Sequence, residues 1–269
     1  MFIIKVDCAT RRLLPTGCKT PDPKVRIAIL SDIHGNAEAL NQTLKNASRL
    51  KAEYLIVLGD IVGYYYDAKD VLRQLRSWPL SAIAGNHEAM LTFACSDEEA
   101  ARHYRSKYGS SLDIARASLS DEELGWLLAL PKQLTLRLGG LAMELHHGSP
   151  DDPDEYVYPD AKLATMERCL RPGRFVFLGH THYPMIVVRR EGVILNPGSV
   201  GQARDLGGFA SWCLFDTATG AVTFQRTAYD VEPIAGQVNF YDPELKYLKN
   251  VLFRGRFALP LTDTNKRVS

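Results

Sequence analysis

Short apolar runs that end in polar residues recur along this chain. VRIAILSD (residues 25–32) and AEYLIVLGD (52–60) each close on an aspartate, and LSAIAGNH (80–87) closes on an asparagine and a histidine. Apolar runs of this length, bounded by glycine or turn residues, read as strands buried on both faces. Between them, NAEALNQTLKNASRL (36–50) places Ala37, Leu40, Leu44 and Ala47 on one helical face, and DAKDVLRQLRS (67–77) reads as a second helix. Buried strands alternating with helices predict an α/β core with a parallel sheet segment.

The texture then changes. Residues 93–131 read as mostly helical, and the last helix there carries a capping box, Ser120 with Glu123, ahead of Leu124, Leu127 and Leu128. LTLRLGGLAMELHHG, MIVVRREGVILNPG and SWCLFDTATGAVTFQRTAYD read as hairpins, and RFVFLGHTH as a strand running into polar residues. DPELKYLKNVLFRGR (242–256) has a helical pattern, with Leu245, Leu248, Val251 and Leu252 on one side and Lys246, Lys249, Arg254 and Arg256 on another. Docking of its apolar side on the core and an approach of its basic side to a ligand both stand as readings. Residues 1–23, punctuated by Pro15, Pro21 and Pro23, read as an N-terminal extension; residues 24–269 read as a single domain that includes a C-terminal helical segment over about 231–257.

Bulk properties narrow the function classes. A chain of 269 residues with 46% hydrophobic content can bury a large core. A formal charge of +1 provides no field to attract nucleic acid or an acidic membrane surface, so an anionic ligand has to be caught locally. The five cysteines are scattered, which fits neither a disulfide framework nor a zinc ribbon and points to a reducing cytoplasm. The apolar stretch at the start is too short for a secretory signal, and no run approaches the roughly 18 residues of a membrane span.

The polar residues at the strand ends carry the candidate chemistry. SDIHGN supplies Asp32 and His34, LGD supplies Asp60, GNHE supplies Asn86 and His87, HHG supplies His146 and His147, and GHTH supplies His180 and His182. Six of the seven histidines lie in these stretches. Taken singly, each stretch reads as a turn or a helix cap. Together they would gather at one edge of the sheet, where open α/β folds bind ligands, and that many ionisable groups need compensation. A pair of divalent cations supplies it, and Asp, His and Asn donors without cysteine accept manganese, iron, zinc, nickel or cobalt.

The order Asp-x-His, Gly-Asp, Gly-Asn-His-Glu, His-Gly, Gly-His-x-His resembles the signature of the calcineurin-like metallophosphoesterases over residues 25–229. NPGSVGQARD (196–205) is similar to the bacterial branch that includes small phosphodiesterases and dinucleoside polyphosphate hydrolases. The resemblance implies an α/β fold, a four-layer sandwich of two mixed β-sheets flanked by helices. It implies one metal held by Asp32, His34 and His182, a second by Asn86, His147 and His180, and Asp60 bridging them. His147, directly before Gly148, takes the ligand role and His146 a supporting one. The implied reaction is hydrolysis of small phosphodiesters or nucleotides by a metal-bridging hydroxide, with His87 as general acid. Arg204 is a candidate phosphate ligand, against the alternative of a surface arginine.

The pattern also departs from the family's protein phosphatases, which carry an Asp-Arg pair after Gly-Asp. Gly63 and Tyr64 stand there instead, which counts against a phosphoprotein substrate and leaves open what orients His87, with Asp67 one candidate. A scaffold with a decayed metal site is the non-catalytic alternative, disfavoured because every ligand position is filled. Tyr64, Tyr65 and Tyr66 read either as a stacking platform for a nucleobase or as tyrosines packing a loop. PDDPDEYVYPD (150–160) reads either as a lid or as a solvated acidic loop.

Overall fold

Alternate residues of the run at 26–30 face two different cores: Ala28 and Leu30 pack with helices, while Ile27 and Ile29 pack with a second sheet. This is why the run is apolar throughout rather than alternating. In the computed structural model, which describes Ile3–Lys5 and residues 24–255, the chain begins with strand β1 (Ile3–Lys5), β2 (Arg26–Leu30), helix α1 (Ala37–Arg49), β3 (Tyr54–Val57), α2 (Ala68–Leu75) and β4 (Leu80–Ala82). Four helices follow: α3 (Asn86–Ser96), α4 (Glu98–Tyr108), α5 (Ser111–Ser118) and α6 (Asp121–Leu128). Then come β5 (Gln133–Leu138), β6 (Leu141–His146), α7 (Leu163–Cys169), β7 (Arg174–Phe177), β8 (Pro184–Val188), β9 (Gly192–Pro197), β10 (Phe209–Asp216) and β11 (Ala221–Ala228). Helices α8 (Glu232–Tyr241) and α9 (Lys246–Asn250) and a 3-10 turn at Val251–Phe253 complete the described chain.

The strands form two mixed sheets, ordered β1-β11-β10-β2-β3-β4 and β5-β6-β7-β9-β8. Strands β2, β3 and β4 run parallel in the first sheet, as do β6, β7 and β9 in the second. The inner faces meet in a core of Ile27, Ile29, Ile56, Leu145, Phe177, Leu195 and Phe215, among others. Helices α1, α2, α3, α5 and α6 cover the outer face of the first sheet, and α7 covers the second. The result is the four-layer sandwich expected from the resemblance, and it brings the carboxyl ends of both parallel sets to one edge. Among the described residues, no helix is long and apolar enough to cross a membrane.

Two expectations change in detail. GNHE is a helix start: Gly85 is the N-cap and Asn86 the first residue of α3. The terminal helix is broken, because Asp242 leaves the helical region ahead of Pro243 and α9 restarts only at Lys246. Leu248, Val251 and Leu252 are buried, so this segment docks. Residues 6–23, the bulk of the expected extension, and Arg256 lie outside the described residues; Ile3–Lys5 pairs antiparallel with β11.

Candidate metal centre

The candidate ligands gather through unusual backbone. Asp32, His34, Asp60, His180 and His182 all have φ between 51° and 65°, the left-handed region that non-glycine residues enter rarely and aspartate and histidine most readily among charged types. Tyr64 is there as well, at φ 57°; among the described non-glycine residues only Lys51 shares this conformation away from the site. Each strand end therefore bends back on itself and throws a polar side chain across the sheet edge. Such strain, on the order of 1 kcal/mol or more per residue, persists only where the surroundings enforce it. Asn196 and Ser199 help enforce it. Asn196 Nδ2 donates to the Gly179 carbonyl at 2.6 Å, and Ser199 Oγ donates to the Asp32 carbonyl at 2.7 Å.

Two overlapping groups result, Asp32, His34, Asp60 and His182, and Asp60, His147 and His180, all buried. Asp60 belongs to both: its Oδ2 is 3.6 Å from His34 Nε2 and 3.3 Å from His147 Nε2. Asp32 Oδ1 is 3.2 Å from His182 Nε2, and Asn86 Oδ1 is 3.0 Å from His147 Nε2. His147 is thus the member of the pair that enters the site, whereas His146 turns to Glu144 at 3.4 Å.

The donor set fits cations. His34 Nδ1 is 3.2 Å from the Val62 carbonyl, His147 Nδ1 is 2.7 Å from that of Leu58, and His182 Nδ1 is 2.7 Å from that of Gln202. A carbonyl only accepts, so each Nδ1 carries a proton and each Nε2 is turned to the centre; His34 and His182 present lone pairs there, while His147 Nε2 faces Asp60 and gives up its proton to ligate a cation. His34 Nε2 then faces His182 Nε2 at 3.0 Å, lone pair to lone pair, an arrangement that a cation between them turns from repulsion into ligation. Asp32 Oδ1 and His180 Nε2 are buried with no hydrogen-bond partner. Both are donor atoms aimed into the same space.

The electrostatics are those of a crowded polar core. Burial opposes ionisation of both carboxylates, yet the neighbouring imidazoles win: His182 holds Asp32, and His147 and His87 hold Asp60, well below the usual carboxylate range. Burial lowers His34, His87, His180 and His182, with His180 falling to about 3. Burial opposes charge on His147 too, but Asp60 and Asp32 raise it to about 10.

The consequence for metal-free protein has a definite sign. The unfolded chain protonates its imidazoles near pH 6.5 while these four histidines, and His146, which burial lowers too, stay neutral in the native state, so the native state binds fewer protons and stability drains away below about pH 6.5. Glu88, raised to about 7 by burial and by Asp60, works in the opposite direction and offsets one of the five. His147 adds stability at neutral pH that is lost as pH rises through about 10. Chelated protein is therefore expected to melt at steadily lower temperature as pH is taken from about 7 to 5. A flat melting profile by scanning fluorimetry across that range would contradict a neutral buried histidine cluster.

Comparison with known proteins decides the family. The model of the calcineurin-like phosphoesterase superfamily domain matches residues 25–220. The chain belongs to that superfamily. It is 30% identical over 227 residues to protein MJ0912 of Methanocaldococcus jannaschii, covering 78% of this chain and 90% of that one. The crystal structure of hypothetical protein PH1004 from Pyrococcus horikoshii OT3 superposes with a TM-score of 0.74 at 25% identity, covering 87% of this chain and 100% of that one. A metallophosphoesterase from Sphaerobacter thermophilus gives 0.67 at 26% identity, covering 86% and 98%. The chain is thus a metallophosphoesterase, a hydrolase of phosphoesters with a candidate dinuclear centre.

Beside the centre of this phosphoesterase stands His87, buried and belonging to neither ligand group. Its ring is wedged among those of His34, Tyr64 and Tyr108, with centroids 4.8, 4.7 and 5.4 Å away. Its Nδ1 has no hydrogen-bond partner, so aromatic packing and not a carboxylate orients it. Asp67 does not serve: it precedes α2 and accepts from Gln237 at 2.8 Å. Gly63 runs against the same ring so closely that an added Cβ would overlap Nδ1, and its φ of 93° suits glycine alone. No side chain at 63 can therefore grip His87 as an aspartate would.

Glu88, which the sequence reading left without a role, organises the second strand end. Its carboxylate accepts from the backbone N–H of Asp60, Ile61, Val62 and Gly85 at 2.7 to 3.1 Å. Four charge-assisted bonds to one buried carboxylate fix the left-handed turn at Asp60 against the first turn of α3. The backbone N–H of His87 completes the join by donating to Asp60 Oδ1 at 2.9 Å.

The outer ring of the site was the least legible part. Tyr65 and Tyr66 are buried against α8 and α9, so they offer no platform, while Tyr64 reaches His34 at a centroid distance of 4.5 Å. The acidic segment divides its labour: Asp151 and Glu155 turn outward to Arg168 at 2.8 and 2.7 Å, and Tyr156 turns inward to lie 3.9 Å from the His180 ring. Arg204 is half-buried, and its positive charge acts on Tyr64 and Tyr156 against the burial that raises both phenols. No carboxylate pairs with its guanidinium among the described residues.

Proposed function

We propose that this phosphoesterase hydrolyses small phosphodiesters or nucleotides, dinucleoside polyphosphates among them, at a centre of two divalent cations. In this reading Asp32, His34 and His182 hold one cation, Asn86, His147 and His180 hold the other, and Asp60 serves both. The observation that carries it is the convergence of three carbonyl-anchored imidazoles, each with its Nε2 turned inward, on two buried carboxylates. When bound, the cations polarise phosphoryl oxygens and make a water acidic enough to deprotonate near neutral pH.

The rest falls to side chains. Arg204, with no carboxylate partner among the described residues, is free to grip a non-bridging phosphoryl oxygen. Tyr64 lines the approach, and the backbone of Gly63 and the surrounding rings keep water from His87. His87, neutral in the empty site, takes up a proton as the anionic phosphoester settles beside it and delivers that proton to the departing oxygen, which is the service an alkoxide leaving group needs most. Closure of the Gly63 side of His87 argues against the phosphoprotein alternative, in which an Asp-Arg pair occupies that place.

Purified protein with added manganese is expected to turn over a chromogenic phosphodiester and diadenosine tetraphosphate at least about ten-fold faster, per kcat/KM, than a phosphoserine peptide. Turnover of the peptide alone would overturn the assignment.

A further inference from the structure

The last described segment of the chain is bound to three of the stretches that surround the centre, although the family match ends at residue 220. Tyr65 Oη donates to the Leu248 carbonyl at 3.0 Å, Tyr66 Oη donates to Asp242 Oδ2 at 2.8 Å, and Gln237 Nε2 donates to Asp67 Oδ1 at 2.8 Å. Asp242 also accepts from the N–H and hydroxyl of Ser110, each at 2.9 Å to Oδ2. Arg254 donates to the Arg204 carbonyl, and its own carbonyl accepts from Gly207 N–H at 2.9 Å. The loops so tied are those that carry Tyr64, Tyr108 and Arg204. The segment adds a ring of its own: Tyr247, anchored through Oη to the Lys107 carbonyl at 3.1 Å, meets Tyr64 edge to face at 6.3 Å.

Four tyrosines from four separate stretches thereby gather beside the centre. Tyr64 and Tyr108 touch the His87 ring, Tyr156 covers His180, and Tyr247 backs Tyr64. The enclosure is tight, since His180 at 5% exposure is the most accessible of the candidate histidine ligands. Ring faces and edges at these separations are the partners that an aromatic group seeks.

We propose that Glu232–Arg254 is part of the substrate site, completing an aromatic chamber of Tyr64, Tyr108, Tyr156 and Tyr247 that selects phosphoesters whose organic group is an aromatic ring. This rests on the phosphoesterase reading above and adds to it the identity of the organic group and the segment that recognises it. Arg204 stands at the same space to receive the anionic part. Tyr156 is held to its task by the two ion pairs of Arg168, which fasten the loop on either side of the bend that turns the ring inward.

Phosphonates, which resist hydrolysis, test the chamber by binding alone. Manganese-loaded protein is titrated calorimetrically with phenylphosphonate and with methylphosphonate, and the aromatic ligand is expected to bind about ten-fold more tightly. Tyr247→Leu and, separately, Tyr156→Leu are expected to shrink that ratio several-fold, while Tyr247→Phe, which keeps the ring, preserves it. Tyr156 lies on an exposed loop, so its variant informs even if Tyr247→Leu fails to fold. Equal binding of the two phosphonates, or a preference that survives both leucine variants, overturns the chamber and leaves the phosphoesterase centre standing. Binding of neither phosphonate removes the centre itself, and the chamber with it.

Discussion

Asp60→Asn is expected to slow phosphodiester hydrolysis by about a thousand-fold, equivalent to about 4 kcal/mol of transition-state stabilisation. Asp60 is the carboxylate common to both candidate ligand groups, with one oxygen within 3.6 Å of His34 and 3.3 Å of His147. The substitution keeps the shape of the side chain. An amide oxygen can still accept from His87 N–H, as Oδ1 does now at 2.9 Å, so the junction with α3 is preserved. What is lost is the charge and one lone-pair-bearing oxygen between two sets of imidazoles. Native metal content, measured by plasma mass spectrometry, should fall together with the rate. Full metal content and a wild-type rate in the variant would mean that Asp60 bridges nothing.

How much of this was readable beforehand follows from which interactions are local. β2 and β3 were legible because strands buried on both faces leave an unbroken apolar record, and the residues that punctuate their ends are the candidate ligands themselves. Ser120 and Glu123 form the expected capping box because that motif is complete within four residues. Glu88 was passed over although it lies within GNHE, since its four backbone partners include three from a loop some 26 to 28 residues earlier. Asp67 was one candidate to orient His87, but its carboxylate accepts from Gln237, some 170 residues away in sequence. Tyr156 and Tyr247 reach the site only through loops whose course the fold decides. The left-handed backbone at five ligand positions leaves no mark in residue type beyond the aspartates and histidines themselves.

The two layers of the site answer to different selective demands. The inner layer is set by the metal chemistry and occupies strand ends, where both sheets hold the backbone. The outer layer, which in the proposal above meets the organic group of the substrate, is assembled from α4, the loop after β6, the loop after β9 and the terminal helices. Members of one superfamily can therefore share the first and differ in the second, which is why family membership alone names the reaction and not the substrate.

Removal of His87 is expected to separate substrates by the basicity of what leaves. His87→Ala should slow hydrolysis of an alkyl phosphodiester by about 10²- to 10⁴-fold, the usual worth of a positioned proton donor. For p-nitrophenolate, which departs as a stable anion, the same variant should lose no more than about ten-fold, because little proton transfer is needed in that transition state. Metal content should hold, since His87 belongs to neither ligand group. Its backbone N–H keeps its bond to Asp60 whatever the side chain. A loss of equal size for both leaving groups would assign His87 to binding or to packing among Tyr64, Tyr108 and His34. Phenyl and p-nitrophenyl esters present the same ring to Tyr64 and Tyr108 and differ in the basicity of what leaves, so a larger loss for phenyl than for p-nitrophenyl isolates the demand for a proton.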